Sequence, residues 1–447
     1  MSRHARRAQR AHAHRPMRPI HRSKEFCLMQ STPEITQQVH QWLNENWDPE
    51  ADLVQWRTLL AESGWGAAHW PKDYFGKGLS AEVSAAIEDV FADFGAVGTA
   101  QTGVRMLAAA TLLEHGNHQQ KRQYLRRILT GEDHWCQLFS EPGSGSDLAG
   151  ATTRADLDGD EYIINGQKVW NTSAHHAHYG LLIARTDWDE AKHKGLSYFI
   201  LDMHQPGVEV RQLSQMNGHA SFNEVFFTDA RIPRENLIST AGNGWQVAMT
   251  TLAHERRSFD RSRENKRVKQ KGRIFVELKK ELDISNEPYT WYPQRAGRVD
   301  LVMQRAEETG AINDPVQRQE IARLHILSES AKWTAQRAKA AQKAGKPQGP
   351  EGSLGKLAAS EIARLAARVH TNISANDALL TGPNSAHDGV VAEILVSVPA
   401  VSIAGGTDEI QRNIVAERVL GLPKEPRFDE GPFRNVQRNS AAKDPSK

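Results

Sequence analysis

The sequence predicts an α+β chain of three consecutive bodies: an N-terminal helical domain, a middle antiparallel β domain and a C-terminal helical bundle. Three observations predict it. Apolar residues recur three and four apart up to Gly131, and short β-branched and aromatic runs separated by Gly, Asn and Asp follow from Trp135. Helical spacing then returns at Gly244. A chain of 447 residues suits roughly three domains of about 150 residues each.

Taken in order, residues 1–29 form a basic leader expected to be disordered, with eight Arg or Lys against Glu25. It lacks the apolar stretch of a secretory signal; the alternative is an Arg-rich mitochondrial transit peptide, and Met29 is a candidate true start. The helical domain, 30–134, contains "ITQQVHQWLN", "DLVQWRTLLAESGW", "AEVSAAIEDVFADFG" and "QQKRQYLRRILTGE", the last stopped by Gly131. The β domain, 135–239, contains "DEYIINGQKVW", "YGLLIART", "LSYFILDM", "GVEVRQL" and "NEVFFTDARIP". Its Asn165–Gly166 pair predicts a hairpin turn. The bundle spans 240–425, with a polar insertion near 261–313 read as a solvated face, or alternatively an interaction segment. "KAGKPQGPEG" is a loop between two helices, and 426–447 is expected to be a loose tail.

Composition limits the functions open to the chain. Apolar content of 39% and charge of 25% describe a soluble globular protein. Net charge is +2, of which the leader supplies a surplus of seven, so the body carries about −5 by subtraction and shows no basic footprint for nucleic acid. No run reaches the ~18 apolar residues of a membrane span. Cys27 and Cys136 alone build neither a disulfide framework nor a zinc cluster, so no metal is expected. A reducing compartment fits, so the cytoplasm is expected, or the mitochondrial matrix if the leader is a transit peptide.

The stretch EPGSGSDLAG, Glu141–Gly150, invites comparison with nucleotide loops. Counting from Gly143 and Gly145, the sixth position of a dinucleotide fingerprint is Leu148 rather than Gly. Gly145 and Gly150 have P-loop separation, but Ala151 and Thr152 follow where Lys and Ser or Thr belong. A plain surface turn and a loop that lets backbone approach a different ligand both remain open.

Two further places suggest chemistry. In "WQVAMTTLAHERRSF" a stripe of Trp245, Ala248, Met249 and Leu252 continues to Glu255, aiming a carboxylate inward. Such an acid is either a general base or half of a structural ion pair. In "SIAGGTDEIQRNIVAERVLGLP", Thr407 or Asp408 suits an N-cap and Asp408 with Gln411 has capping-box spacing. Gly405–Gly406 just before it lets a ligand reach the backbone at a helix start, which suits a phosphate or a developing oxyanion; a capped helix with no ligand is the alternative.

Together these segments resemble the acyl-CoA dehydrogenase family over about Met29–Pro426. The resemblance is carried by "WCQLFSEPGSGSDLAG", "DGDEYIINGQKVWNTSA" with Trp170–Asn171–Thr172, "FNEVFFTDARIP" and "GGTDEIQRNIVAERVLG". The composite looks most like a bacterial branch that includes steroid-side-chain members. The resemblance implies FAD as cofactor, an acyl-CoA thioester as substrate and an electron-transferring flavoprotein as acceptor. It also implies a homo- or hetero-oligomer, usually a dimer of dimers. It implies that Gln137, Leu138, Ser140, Gly145, Ser146, Trp170, Asn171, Thr172, Gly406, Thr407 and Glu409 face cofactor, and that Ser146 and Arg256 face substrate. Trp170 would wall the flavin ring and Thr172 would reach its N5. Glu255 would take the α-proton, and the Gly405 N–H would hold the thioester oxygen.

The sequence departs from the family's commonest pattern in three ways. Gly405 stands where many members carry the base; a minority carry it on the earlier helix, where the aligned residue is Glu255. The Arg-x-x-Phe-Gly segment that holds the adenine half of FAD has no counterpart; "DPVQRQEIARL", Asp314–Leu324, stands in the comparable helix. Gln137 replaces a common aromatic. Three readings follow: an autonomous dehydrogenase, a non-catalytic partner subunit of a heteromeric enzyme, and an acyl-CoA oxidase.

Overall fold

The computed structural model describes residues 31–100, 102–258, 271–346, 349, 351–426 and 429–436. The leader, and the basic stretch 261–270, lie outside the described residues.

Five α-helices open the described residues: α1 (Thr32–Asn46), α2 (Leu53–Ser63), α3 (Ala81–Phe94), α4 (Gly103–His115) and α5 (His118–Thr130). Side-chain caps define several starts, with Asp52 accepting from the Val54 and Gln55 N–H groups at α2. Gly131, at φ 87°, closes α5 in the left-handed conformation that glycine adopts without strain.

An eight-stranded sheet follows: β1 (Trp135–Leu138), β2 (Arg154–Asp158), β3 (Glu161–Val169), β4 (Tyr179–Arg185), β5 (Leu196–Asp202), β6 (Val208–Leu213), β7 (Phe222–Pro233) and β8 (Leu237–Ile238). The order β6-β7-β3-β2-β4-β5-β8 is mostly antiparallel, with β1 pairing parallel to β4. The run in β4 does not alternate because both faces are covered. Leu181 and Ile183 join a core with α2, α4 and α5, whereas Leu182 and Ala184 face a second core with Tyr162, Phe199 and Phe227.

The expected Asn165–Gly166 turn is a β-bulge inside β3. Register with β7 shifts between Ile164 and Gly166, and the turn itself is Gly159–Asp160, since Asp158 pairs with Glu161. Asn165 instead uses its side chain across the sheet, donating to Asp229 Oδ1 at 3.0 Å and accepting from the Asp229 N–H at 3.0 Å.

The remaining helices are α6 (Gly244–Ser258), α7 (Arg273–Asn286), α8 (Tyr292–Arg295), α9 (Val302–Glu308), α10 (Pro315–Lys343), α11 (Glu351–Ser374), α12 (Val390–Ser397) and α13 (Asp408–Arg418). The expectation of a solvated insertion fails for 273–313. Ile274 is buried in the core of α1–α3, and Trp291, Val302 and Ala306 are buried as well. Glu281 on α7 pairs with both Arg57, at 2.6 Å, and Arg105. A helix that supplies the counter-ion of two buried arginines cannot be a free polar face.

The loose tail also fails as an expectation for 429–436. Pro432 bridges Ala191, and the Phe433 N–H donates to Glu190 O at 2.9 Å. Phe433 is 1% exposed.

Candidate active site

The Glu141–Gly150 loop is a built structure. Glu141 and Ser144 exchange backbone hydrogen bonds of 3.0 Å each, and Ser144 Oγ donates to Asp147 O. The Glu141 carboxylate closes the loop's base. It accepts from the Thr152 N–H at 2.7 Å, the Thr153 N–H at 2.8 Å and Lys168 Nζ at 2.8 Å. Burial opposes its ionisation, but the Lys168 charge and these hydrogen bonds prevail and hold its pKa at about 2. Lys168 is fully buried and also donates to Phe139 O at 2.9 Å. Burial pulls the Lys168 ammonium below its ordinary pKa, against the pull of Glu141. Glu141 and Lys168 were absent from the expected site; the signal available was an acid directly preceding the small-residue run, but its partner lies on another strand.

Within this frame Gly145 and Ser146 are exposed, and a Cβ at Gly145 meets no atom within 4 Å. Leu138 is buried at the end of β1, Gln137 and Ser140 are half-buried, and Ser140 O accepts from the Val169 N–H at 2.8 Å. That bond brings the loop's entrance beside Trp170. Trp170 has φ 64° and is 59% exposed, with its indole packed edge-on to Phe222 at 5.8 Å. Thr172 is half-buried next to it. Asn171 is buried between β1 and β7, donating to Gln137 O at 2.8 Å, while its Oδ1 has no hydrogen-bond partner. An open backbone edge, an exposed indole and an orphaned acceptor fit a planar group that carries N–H or O–H donors, as a flavin does.

Glu255, the expected base, lies on α6. The most buried positions of α6 are Gly244, Val247, Ala248 and Thr251, one residue off the expected stripe; Trp245, Met249 and Leu252 are half-buried flanks. Glu255 lies four residues beyond Thr251 on the same face and is half-buried. Thr251 Oγ1 lies 3.0 Å from the Tyr198 hydroxyl, and Phe139 packs edge-on to Tyr198 at 5.8 Å. The phenols of Tyr198, Tyr289 and Tyr292 are raised chiefly by burial, with a further push from the Glu255 charge. The Glu255 charge is thus felt at Tyr198 on β5 and at Tyr289 and Tyr292 between α7 and α8. The side chain of Arg256 lies outside the described residues.

The third group stands apart in this chain. Thr407, rather than Asp408, is the N-cap of α13, accepting from the Ile410 N–H at 3.3 Å. Asp408 turns inward to Lys356 at 3.3 Å and Arg364 at 2.8 Å; burial opposes its ionisation, yet these partners and Ser360 hold its pKa at about 2. Gly405 and Gly406 have φ of 69° and 83°, and Gly405 O accepts from Gln411 Nε2 at 3.2 Å. Glu409 is exposed beside Arg412. Among the described residues, none of Gly405, Gly406, Thr407 and Glu409 bonds to the sheet or to α6. His175, His176 and Glu287 gather ligand-type atoms within 4.8 Å of one another. Both His175 ring nitrogens are already engaged, by Asn223 Oδ1 at 3.0 Å and Gln212 Nε2 at 3.3 Å, so this is a polar network.

Comparisons with known proteins agree along the chain. The family description "Acyl-CoA dehydrogenase, N-terminal domain" matches residues 31–132, the middle domain 136–230 and the C-terminal domain 296–420. The chain is 33% identical over 420 residues to acyl-CoA dehydrogenase IpdE1 of Mycobacterium tuberculosis, covering 89% of this chain and 99% of that protein. The ChsE4–ChsE5 complex of the same organism is similar at TM-score 0.59 and 26% identity, over 88% of this chain and 98% of that one. The Tcur3481–Tcur3483 steroid ACAD shares the fold at TM-score 0.61 and 24% identity, over 88% and 98%.

Proposed function

The chain belongs to the acyl-CoA dehydrogenase family, and we propose that it introduces an α,β double bond into an acyl-CoA thioester with Glu255 as the base. The observation that carries this reading is the hydroxyl chain that fixes α6 against β5 one turn before Glu255. A carboxylate on that turn is half-shielded from water and held by a rigid helix rather than a loop. A positioned base of this kind contributes about 10²–10⁴-fold to proton transfer. Bound FAD would supply the two-electron acceptor for the β-hydride, with the electrons going on to an electron-transferring flavoprotein. Trp170 and Thr172 would border the ring, and Gln137, Leu138, Ser140, Gly145, Ser146 and Asn171 would line its cradle. The Gly405 N–H would donate to the thioester oxygen, a task that needs no side chain. Gly406, Thr407 and Glu409 would complete the cofactor's surroundings, and Arg256 and Ser146 would face substrate.

A second reading is a partner subunit that completes another chain's site. It is favoured by the separation of Gly405–Glu409 from the sheet within one chain, and by the missing adenine-binding segment. Val316, Ile326 and Trp333 expose apolar surface along α10, which suits an oligomer. Two similar structures carry paired chain names, ChsE4–ChsE5 and Tcur3481–Tcur3483.

Anaerobic spectroscopy on the protein purified alone tests both. The autonomous reading expects a yellow protein whose flavin bleaches with some member of an acyl-CoA panel that includes steroid-derived thioesters. Glu255→Gln should keep the flavin and lose bleaching. Unchanged bleaching in that variant removes Glu255 as base, and a colourless protein that gains flavin only with a second chain establishes the partner reading.

A further inference from the structure

We infer that the C-terminal segment 429–436 is a positioning element for the Glu141–Gly150 loop, acting through Arg185 and Lys192. Toward the flavin, the inference rests on the function proposed above.

The segment is docked along its length on the β4–β5 connection. Beyond the Pro432 bridge, the Arg434 N–H donates to Trp188 O at 2.9 Å, and Arg434 Nη2 binds Asp189 at 2.6 Å. Two side chains carry this docking into the loop. Arg185 is fully buried and donates to Ala149 O at 2.7 Å, Ala151 O at 3.1 Å and Lys192 O at 3.1 Å. Phe433 covers its guanidinium, with 3.4 Å between the central carbon and the ring centroid. Lys192, 8% exposed, places Nζ between Asp147 at 2.7 Å and Asp429 at 3.0 Å. One tail residue therefore shields the arginine that grips the loop's exit, and another shares the lysine that grips its crest.

The physical consequence follows from competition with water. The loop is exposed at Pro142–Gly143 and again at Gly145–Asp147, so its shape depends on anchors at its ends. Glu141 ties the entrance to Thr152 and Thr153, just past the exit, without help from the tail, which leaves the carbonyls of Ala149 and Ala151 to Arg185. The exit is held by carbonyl bonds to a guanidinium, which keep their strength only while water is excluded. Phe433 is the nearer of the two rings, with Trp188, that cover the guanidinium. Asp429 supplies a second acceptor that keeps the nearly buried Lys192 ammonium satisfied while it holds Asp147. Gly145 and Ser146 lie between these anchors, so the tail sets the backbone against which the ring would pack.

Hydrogen exchange on the full chain without flavin tests this directly. In Phe433→Ala and in Asp429→Asn, peptides covering 142–151 should exchange roughly tenfold faster or more, with α10 and α11 unchanged. Lys192→Met should do the same, and Lys192→Arg should restore protection. The Kd for FAD should rise about fivefold or more in the first three variants and not in Lys192→Arg. If Phe433→Ala unfolds throughout, Asp429→Asn and the Lys192 pair decide. Unchanged exchange across 142–151 in Asp429→Asn and Lys192→Met overturns the inference. Faster exchange in a protein that never binds flavin supports the anchoring and sinks the proposed function instead.

Discussion

The Tyr198 hydroxyl lies 3.0 Å from Thr251 Oγ1, and Thr251 Oγ1 lies 2.8 Å from Thr111 Oγ1. Three fully buried hydroxyls thus join β5, α6 and α4, and Thr251 also donates to Val247 O at 3.2 Å in its own helix. The relationship sets the rotation of α6 about its axis, and with it the direction in which Glu255 points. The same Tyr198 ring is packed by Phe139, the residue between β1 and the Glu141 loop.

Thr251→Val should therefore cost more than its size suggests. The valine keeps the volume and removes a buried partner of the Tyr198 hydroxyl, whereas Thr111 keeps Leu107 O at 2.8 Å; the penalty is about 1–3 kcal/mol. Urea unfolding measures it. A loss below about 0.5 kcal/mol would mean that the hydroxyls find other partners and that α6 is not oriented this way.

Glu141→Gln should be among the most destabilising single changes in the sheet, by roughly 3–5 kcal/mol, because Lys168 stays buried without a counter-charge. Adding Lys168→Met should recover much of that loss. A double-mutant cycle in denaturant reads the coupling, and strict additivity would refute the pair's role.

Acid sensitivity follows from the same carboxylate and from Asp408. Both have folded pKa values of about 2, below their unfolded values. The unfolded chain binds protons first as pH falls, so their stabilisation is complete above about pH 4.5 and is lost between there and pH 2. His134 adds a separate window. Burial, with Arg105 and His178, lowers its pKa to about 4. A histidine held neutral loses stability as pH falls below about 6.5, where the unfolded ring protonates, down to about 4. Unfolding midpoints across pH 2–7 should fall in both windows, and Glu141→Gln should flatten the lower one.

Glu281→Ala should release α7 from the N-terminal helices. It leaves Arg57 and Arg105 buried without their shared carboxylate, at a cost of about 3 kcal/mol or more. Hydrogen exchange should rise first in peptides covering 273–286, ahead of the sheet, and uniform exchange would contradict the anchoring.

The sequence by itself determined the succession of helical, β and helical bodies and the stop at Gly131. These are local matters: a period of two or of 3.6 residues, and a glycine at φ 87°, are written within a few neighbouring positions. Tertiary structure decided what each special residue meets. It made Asn165–Gly166 a bulge held by Asp229, drew 273–313 into the core through Ile274 and Glu281, and docked Phe433 over Arg185. It also paired Glu141 with Lys168. A buried charge or a ring is stabilised by whichever partner the fold brings to it, and that partner lies far along the chain, where no periodicity records it.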